Sequence, residues 1–421
     1  MNIRAYCRIP QNTNRSIKAK EGSCPELMYD LFSELEGAKE IHIAAYLFNN
    51  PSYYDFLSGL ARKGCKIRVT SLPIRGYSDK PTWVEGYTDK VSARHVAKQI
   101  YKKVNNTPNF ELEIFPHLYV WYGALYAGGG ASYSFHVKAI FAKFRNSINK
   151  SILSSGNFML SDAFHSDNIL VLEGISEYEN TFKAFFNDLG KYSIPYDDFR
   201  SRLHTYRNEF MYTLAGREIN LHKRDFRNCF FTAPFYLYDG EGSNHYAGNR
   251  IIELISKSSK RIWVCAQHFH DIASYDRERE TIIKALYDKH ISNPRVSLRF
   301  LKQVPHSSLA DKRRAGIAET LFQFVMQAEQ RYNRLAHDKF MIIDDILLVS
   351  TANYTPTQFA FGLRKMEFKD GDGNRKFSKE DNFSEVNGFV IIPSCPKPIL
   401  EEYESHFNSL WDTGQDITIN L

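Results

Sequence analysis

A chain of 421 residues, 43% hydrophobic and 24% charged, has ordinary globular composition and length for two or three domains. Its 31 Phe and 25 Tyr exclude a disordered chain, no short repeat marks a fibre, and six scattered Cys without a C-x-x-C pair argue against a disulfide framework or a thiolate zinc site. The excess of 54 basic over 48 acidic residues gives +6, a mild lean toward anionic partners: nucleic acid, anionic lipid or a phosphorylated small molecule.

No window holds 18 uncharged apolar residues, so no transmembrane segment is expected. The opening MNIRAYCRIPQNTNRS has no apolar signal-peptide core. Free thiols and a cytoplasmic location are the expectation.

In chain order, residues 24–48 read as a helix, spaced by Leu27, Leu31, Phe32 and Leu35, then Gly37, then an apolar strand from 41 to 48. A helix over 54–62 and a strand over 66–72 follow. Residues 249–269 repeat the order: helix, polar break, buried strand over 262–269. A helix over 278–287 and a strand over 296–301 complete the repeat. Alternating helices and strands, given twice, predict an α/β protein of two similar α-β-α lobes, each with a mixed sheet. The polar stretch after Pro195 places the lobes at 1–195 and 236–421, with a linker over 196–235. Residues 366–384 read as a solvated insertion.

The chemistry sits at the same place in each half. RLAHDKFMIIDDILLVSTANY holds His337, Lys339 and Asp344 in the spacing H-x-K-x4-D, between strand-like runs. On a strand, positions i and i+2 share a face, so His337 and Lys339 project together. The turn 350–353 brings hydroxyls and Asn353 back beside them. In the first half, His136 and Lys138 lie in SFHVKAIFAKF, and a second apolar run leads to Ser154-Ser155-Gly156-Asn157. Past each Asn, an acid precedes an apolar strand: Asp167 in one half, Glu385 in the other.

Lysine ammonium groups suit phosphate oxygens, and amides and hydroxyls add neutral donors. Imidazole suits nucleophilic attack and proton delivery near neutral pH. A carboxylate behind an imidazole fixes its tautomer. Two such sets facing each other make a phosphodiester site that needs no metal or other cofactor.

These motifs resemble the phospholipase D superfamily, the HKD phosphodiesterases, in its two-motif single-chain form. HDKFMIID followed by STAN carries the resemblance most specifically, and the likeness spans residues 24–175 and 249–392. It implies a pseudo-twofold fold with the active site between the lobes and a covalent phosphohistidine intermediate. It also implies His136 as nucleophile and His337 as general acid, later activating water. Lys138, Lys339, Asn157 and Asn353 would hold the phosphoryl oxygens, and Asp167 and Glu385 would orient the histidines. Asp344 closes the second motif and is expected to be structural; the first motif has Lys143 where that acid would stand. The resulting H-x-K…N is similar to tyrosyl-DNA phosphodiesterases and favours a nuclease or DNA-end-processing enzyme over a phospholipase.

Basic groups at 62–68, 98–103, 223–227 and 312–314 favour DNA or RNA as partner. Tyr119, Trp121, Tyr122 and Tyr126 are candidates to stack bases, and Gly128–Gly130 a mobile entrance. His268 and His270 share a strand-end face as a candidate metal pair or pocket lining. Phospholipid is the alternative substrate, and a non-catalytic protein with a degenerate first half the third reading. No protein partner is indicated.

Overall fold

The computed structural model describes residues 2–10, 25–72, 74, 78–82, 90–115, 135–145, 148–159, 164–201, 227–232, 246–272, 279–303, 309–359, 361–362, 367–369, 375–377, 382–383, 385–417 and 419. They form two eight-stranded mixed sheets with the same connectivity.

The first sheet holds β1 (Asn2–Arg8), β2 (Ala38–Ala45), β3 (Lys66–Ser71), β4 (Phe110–Ile114), β5 (Lys138–Phe144), β6 (Asn149–Ser154), β7 (Asp167–Glu173) and β8 (Ile194–Pro195). Their spatial order is β1-β7-β6-β5-β2-β3-β4-β8. The second holds β9 (Cys229–Phe231), β10 (Arg261–Ala266), β11 (Ser297–Lys302), β12 (Glu329–Tyr332), β13 (Lys339–Ile343), β14 (Ile346–Ser350), β15 (Gly388–Ile392) and β16 (Gln415–Asp416), ordered β9-β15-β14-β13-β10-β11-β12-β16. The permutation is identical, as the repeat of elements in the sequence predicts. The second sheet begins at Cys229, inside the stretch assigned to the linker, so the boundary at 236 is corrected to lie before β9. Cys229 and Phe231 are apolar and pair with β15, whereas only polarity had marked that stretch.

Helices α1 (Pro25–Leu35), α2 (Pro51–Arg62) and α3 (Ala93–Val104) belong to the first lobe, with α4 (Ser176–Tyr192) following β7. Helices α5 (Tyr246–Lys257), α6 (Ile282–Ser292), α7 (Leu309–Thr320) and α8 (Lys397–Asp412) belong to the second. Asn50 caps α2, its side chain accepting from Ser52 N, with Pro51 in the first turn where no donor is needed.

Both faces of each sheet are covered, so β5 over residues 139–142 and β13 over residues 340–343 are continuously apolar rather than alternating. Val137, Ala139 and Phe141 face a core shared by the lobes, and so do Phe340 and Ile342. Ile140 and Ala142 face the outer helices of the first lobe, Met341 and Ile343 those of the second. The last helix of each lobe crosses to the other. Phe185 on α4 stacks on Phe231 of β9 at 3.8 Å, and α8 packs on β1. Tyr178 on α4 donates to Ile391 O at 3.0 Å, and Tyr403 on α8 to Asn168 Oδ1 at 3.2 Å.

Five cysteines (7, 65, 229, 265 and 395) are free and buried. No helix among the described residues is long and apolar enough to cross a membrane. Within the 366–384 insertion, Glu367–Lys369 pairs with Arg375–Phe377 as a ribbon. The aromatic candidates at 119–126, the glycines at 128–130, and Lys223 and Arg224 lie outside the described residues.

Candidate active site

The two motifs enter their sheets by a symmetric pair of contacts between lobes. Phe135 bridges Val386 in parallel, and Ala336 bridges Ser166. His136 N donates to Val386 O at 3.0 Å, and Ser166 N donates to Leu335 O at 2.8 Å. Each histidine thus stands where its strand leaves the other lobe. Alternation then puts His337 and Lys339 on one face of β13 and Asp338 on the other, beside Phe340 and toward α8.

All of the histidines, lysines and asparagines of the two sets are buried, the lysines completely. Lys138 Nζ donates to His136 O at 2.6 Å, and Lys339 Nζ to His337 O, which ties each ammonium to its own motif. Asn157 of the first lobe donates through Nδ2 to Nε2 of His337 at 3.4 Å, so donors of one half address the imidazole of the other. Asn353 Oδ1 accepts from His268 N at 3.3 Å. Tyr46 sets its ring edge-on to His136, centroids 5.2 Å apart, with Lys138 Nζ 5.5 Å from its centroid.

Behind the imidazoles the halves differ. His337 Nδ1 donates to Asp167 Oδ1 at 2.8 Å, the partnership expected of that acid. His136 Nδ1 donates to Asn387 Oδ1 at 3.2 Å. Glu385, expected in that place, is displaced: its carboxylate accepts from Gln358 Nε2, and burial raises it to about 8 against that hydrogen bond. The correction follows from register. Ser154 pairs with Ile169 and Ser350 with Phe389, so the counterpart of Asp167, two residues before Ile169, is Asn387 and not Glu385. The hydroxyl-rich turns serve these groups: Ser155 Oγ donates to Asp167 Oδ1 at 2.6 Å, Thr351 Oγ1 to Asn387 Oδ1 at 3.0 Å.

Asp344 does not join the cluster. It closes the far end of β13, accepting from the backbone N–H groups of Ser259, Lys260 and Arg261 at 2.7–2.9 Å. It staples β13 to the entry to β10. Lys143 occupies the matching end of β5 and pairs with Glu40 at 2.8 Å, an ion pair where Asp344 takes backbone N–H groups.

Burial first, then the ammonium groups of Lys138 and Lys339, hold His136 well below the usual imidazole value, and His337 depresses it further. His337 is held down by burial, Lys339 and Lys138, with Asp338 opposing. Each imidazole therefore feels both lysines. Burial pushes Asp167 up while Lys339 pulls it down. Without a bound anion, burial and the two lysines favour the neutral imidazole, and the oxygens of Asn387 and Asp167 favour its hydrogen on Nδ1. An incoming phosphodiester supplies the negative charge that the two lysines lack and makes protonation of one imidazole favourable.

Sequence reasoning passed over three groups. Asp338 accepts from Ser166 Oγ (2.5 Å), Asn168 Nδ2 (2.7 Å) and His406 Nε2 (3.0 Å), joining β13, β7 and α8. Its counterpart is Val137, so no repeat signal marks it. His165 stacks on His337 with centroids 5.3 Å apart. Asn387 was visible only as one member of the softer acid–Asn match.

His268 and His270, which sequence offers as a metal pair or as pocket lining, flank Phe269, which bridges Tyr354; their ring centroids lie 6.5 Å apart. No cluster of three or more His, Cys, Asp or Glu suited to a metal occurs among the described residues. Arg62, Lys63 and Lys66 lie at the starting ends of β2 and β3, and Lys102 and Lys103 at the matching end of α3. The site is at the opposite ends, where Ala45 pairs with Lys138, so these clusters do not lead to it. Exposed Lys312 and Arg313 are different: α7 follows the end of β11 whose Lys302 pairs with Ala266, itself paired with Lys339.

A family model described as cardiolipin synthase, PLD-like domain, matches residues 251–367, the stretch holding His337, Lys339 and Asn353. No curated protein matches the chain. Among solved structures, phosphatidylserine synthase of Haemophilus influenzae Rd KW20 is 13% identical over 97% of this chain and 89% of that chain, with a TM-score of 0.54. Polyphosphate kinase of Porphyromonas gingivalis is 11% identical over 97% of this chain, at a TM-score of 0.50, and this chain spans only 50% of its length. Yeast tyrosyl-DNA phosphodiesterase is 12% identical over 93% of this chain and 90% of that chain, at a TM-score of 0.44. At such identities the likeness is one of fold. Residues 251–367 thus match a PLD-like domain, and the doubled lobe has a phospholipase D-like fold.

Proposed function

We propose that the chain is a metal-independent phosphodiesterase that works through a covalent phosphohistidine and acts on nucleic acid. The observation that carries the reading is the crossed arrangement of the half-sites: Asn157 of one lobe reaches Nε2 of His337 in the other, while both lysines act on both imidazoles.

His136 is the nucleophile. Its partner Asn387 is uncharged, so the imidazole stays neutral with hydrogen on Nδ1 and a lone pair on Nε2. That nitrogen attacks phosphorus; the P–N bond forms as the bond to the leaving oxygen breaks. His337 Nε2–H gives its proton to that oxygen, and Asp167 stabilises the imidazolium beforehand. Water then attacks phosphorus, its proton goes to His337 Nε2, and the P–N bond breaks to release His136. Lys138, Lys339, Asn157 and Asn353 hold the non-bridging oxygens, on which charge is spread in both transition states. These cationic and amide donors take the role a metal ion plays in other phosphodiesterases.

Support for nucleic acid is electrostatic: Lys312 and Arg313 are exposed on α7, which follows the site end of β11. The test is a panel of labelled single- and double-stranded DNA, RNA and phosphatidylcholine with EDTA present. Nucleic acid should be cut, and His136→Ala and His337→Ala should each lower the rate on the order of 10³-fold or more. Cleavage of lipid alone would overturn the substrate, and full activity in both variants would overturn the site.

A further inference from the structure

Asp167 and Asn387 occupy equivalent places, but they constrain an imidazole differently. A carboxylate has only acceptors, so Asp167 forces hydrogen onto His337 Nδ1 whichever oxygen it presents. An amide has an acceptor end and a donor end of nearly the same shape. Asn387 fixes the tautomer of His136 only if something fixes Asn387.

The structure holds such a fixing. Asn387 Nδ2 donates to Gln358 Oε1 at 3.0 Å and to the main-chain oxygen of Glu385 at 3.1 Å. Its Oδ1 accepts from Thr351 Oγ1 at 3.0 Å and from His136 Nδ1 at 3.2 Å. All four positions of the amide are filled, and every side chain involved is buried. Reversing the amide would set Oδ1 against two acceptors and leave Nδ2 facing the imidazole. Gln358 is oriented in turn, since its Nε2 donates to a carboxyl oxygen of Glu385, which leaves Oε1 toward Asn387. Thr232 Oγ1 donates to the same Glu385 main-chain oxygen and accepts from Asn387 N at 2.8 Å.

We propose that Gln358 is a positioning residue: held by Glu385, it locks the Asn387 amide so that His136 carries its hydrogen on Nδ1 and presents a nucleophilic Nε2 to the cleft. The need for it arises only on the side where an amide stands instead of a carboxylate. The inference rests on His136 as the nucleophile for its catalytic consequence, but not for its structural one.

The test is heteronuclear NMR of isotope-labelled histidine in the ligand-free full chain at neutral pH, alongside kcat and KM. In the wild type, His136 and His337 should both be Nδ1–H tautomers. Gln358→Leu should convert His136 to a mixture of tautomers, leave His337 unchanged and lower kcat about 10- to 100-fold with little change in KM. Gln358→Glu keeps an acceptor toward Asn387 Nδ2 and should keep the wild-type tautomer. Asn387→Asp added to Gln358→Leu should restore the Nδ1–H form, because a carboxylate needs no lock. A wild-type tautomer in Gln358→Leu would overturn the proposal, as would equal changes at His136 and His337, the mark of general loosening. A tautomer change without loss of kcat would uphold the lock and count against His136 as nucleophile.

Discussion

One substitution between the halves, a carboxylate at 167 for an amide at 387, divides the labour of two otherwise matched histidines. The division has a pH signature. A charge at position 387 would stabilise imidazolium at His136, raise its pKa and protonate the nucleophile at a higher pH. Asn387→Asp should therefore shift the acidic limb of the kcat/KM profile upward. Asp167→Asn removes the negative group from His337, lowers its pKa further and should shift the basic limb downward, since the general acid loses its proton sooner. The opposite pair of shifts would exchange the two roles. The same scale shows what a single residue hides from sequence reading. His136, Lys138, His337, Lys339 and both asparagines were legible because strand alternation and a repeat expose them. Gln358 and Asn387 were not, because their role depends on a register across β14 and β15 that no local spacing encodes.

Among elements, the strands carrying the motifs are pinned at both ends by different chemistry. At the far end, Asp344 accepts three backbone N–H groups, and those bonds hold its carboxyl below the usual value against burial. Asp344→Ala should cost about 1–2 kcal/mol in chemical denaturation while leaving kcat nearly intact, because it removes the acceptor of three largely exposed hydrogen bonds and not a proton carrier. At the near end, Asp338 joins β13 to β7 and α8. Burial opposes its ionisation, but His406 and the hydrogen bonds of Ser166 and Asn168 hold it at about 2. A depressed carboxyl contributes stability in full above the unfolded value of about 3.9 and loses it as pH falls toward 2. The gap in Tm between wild type and Asp338→Asn should therefore be widest near neutral pH and close between pH values of about 4 and 2. Helix and strand order were legible from periodicity, and most boundaries fell within a few residues. The start of the second lobe was not, since β9 is three residues long and is defined by its partner β15, far along the chain.

For the whole molecule, the two lobes contribute to one buried core, and neither half-site is complete without the other: Asp167 serves His337, and Asn387 serves His136. The basic surface at the distal ends of β2 and β3 shows why charge counts read poorly at this scale. Sequence gives the number of cations, whereas the end of the sheet on which they stand decides whether substrate meets them. The doubled site makes one demand that a single-lobe chemistry would not, namely that a phosphoryl group rest on one imidazole while the other waits for water. The direct measurement is to mix His337→Ala with a phosphodiester bearing a good leaving group, which needs no general acid to depart, quench it in base and map the adduct by mass spectrometry. An acid-labile phosphoryl group on His136 is the predicted result; no adduct, or one on any other residue, would contradict it.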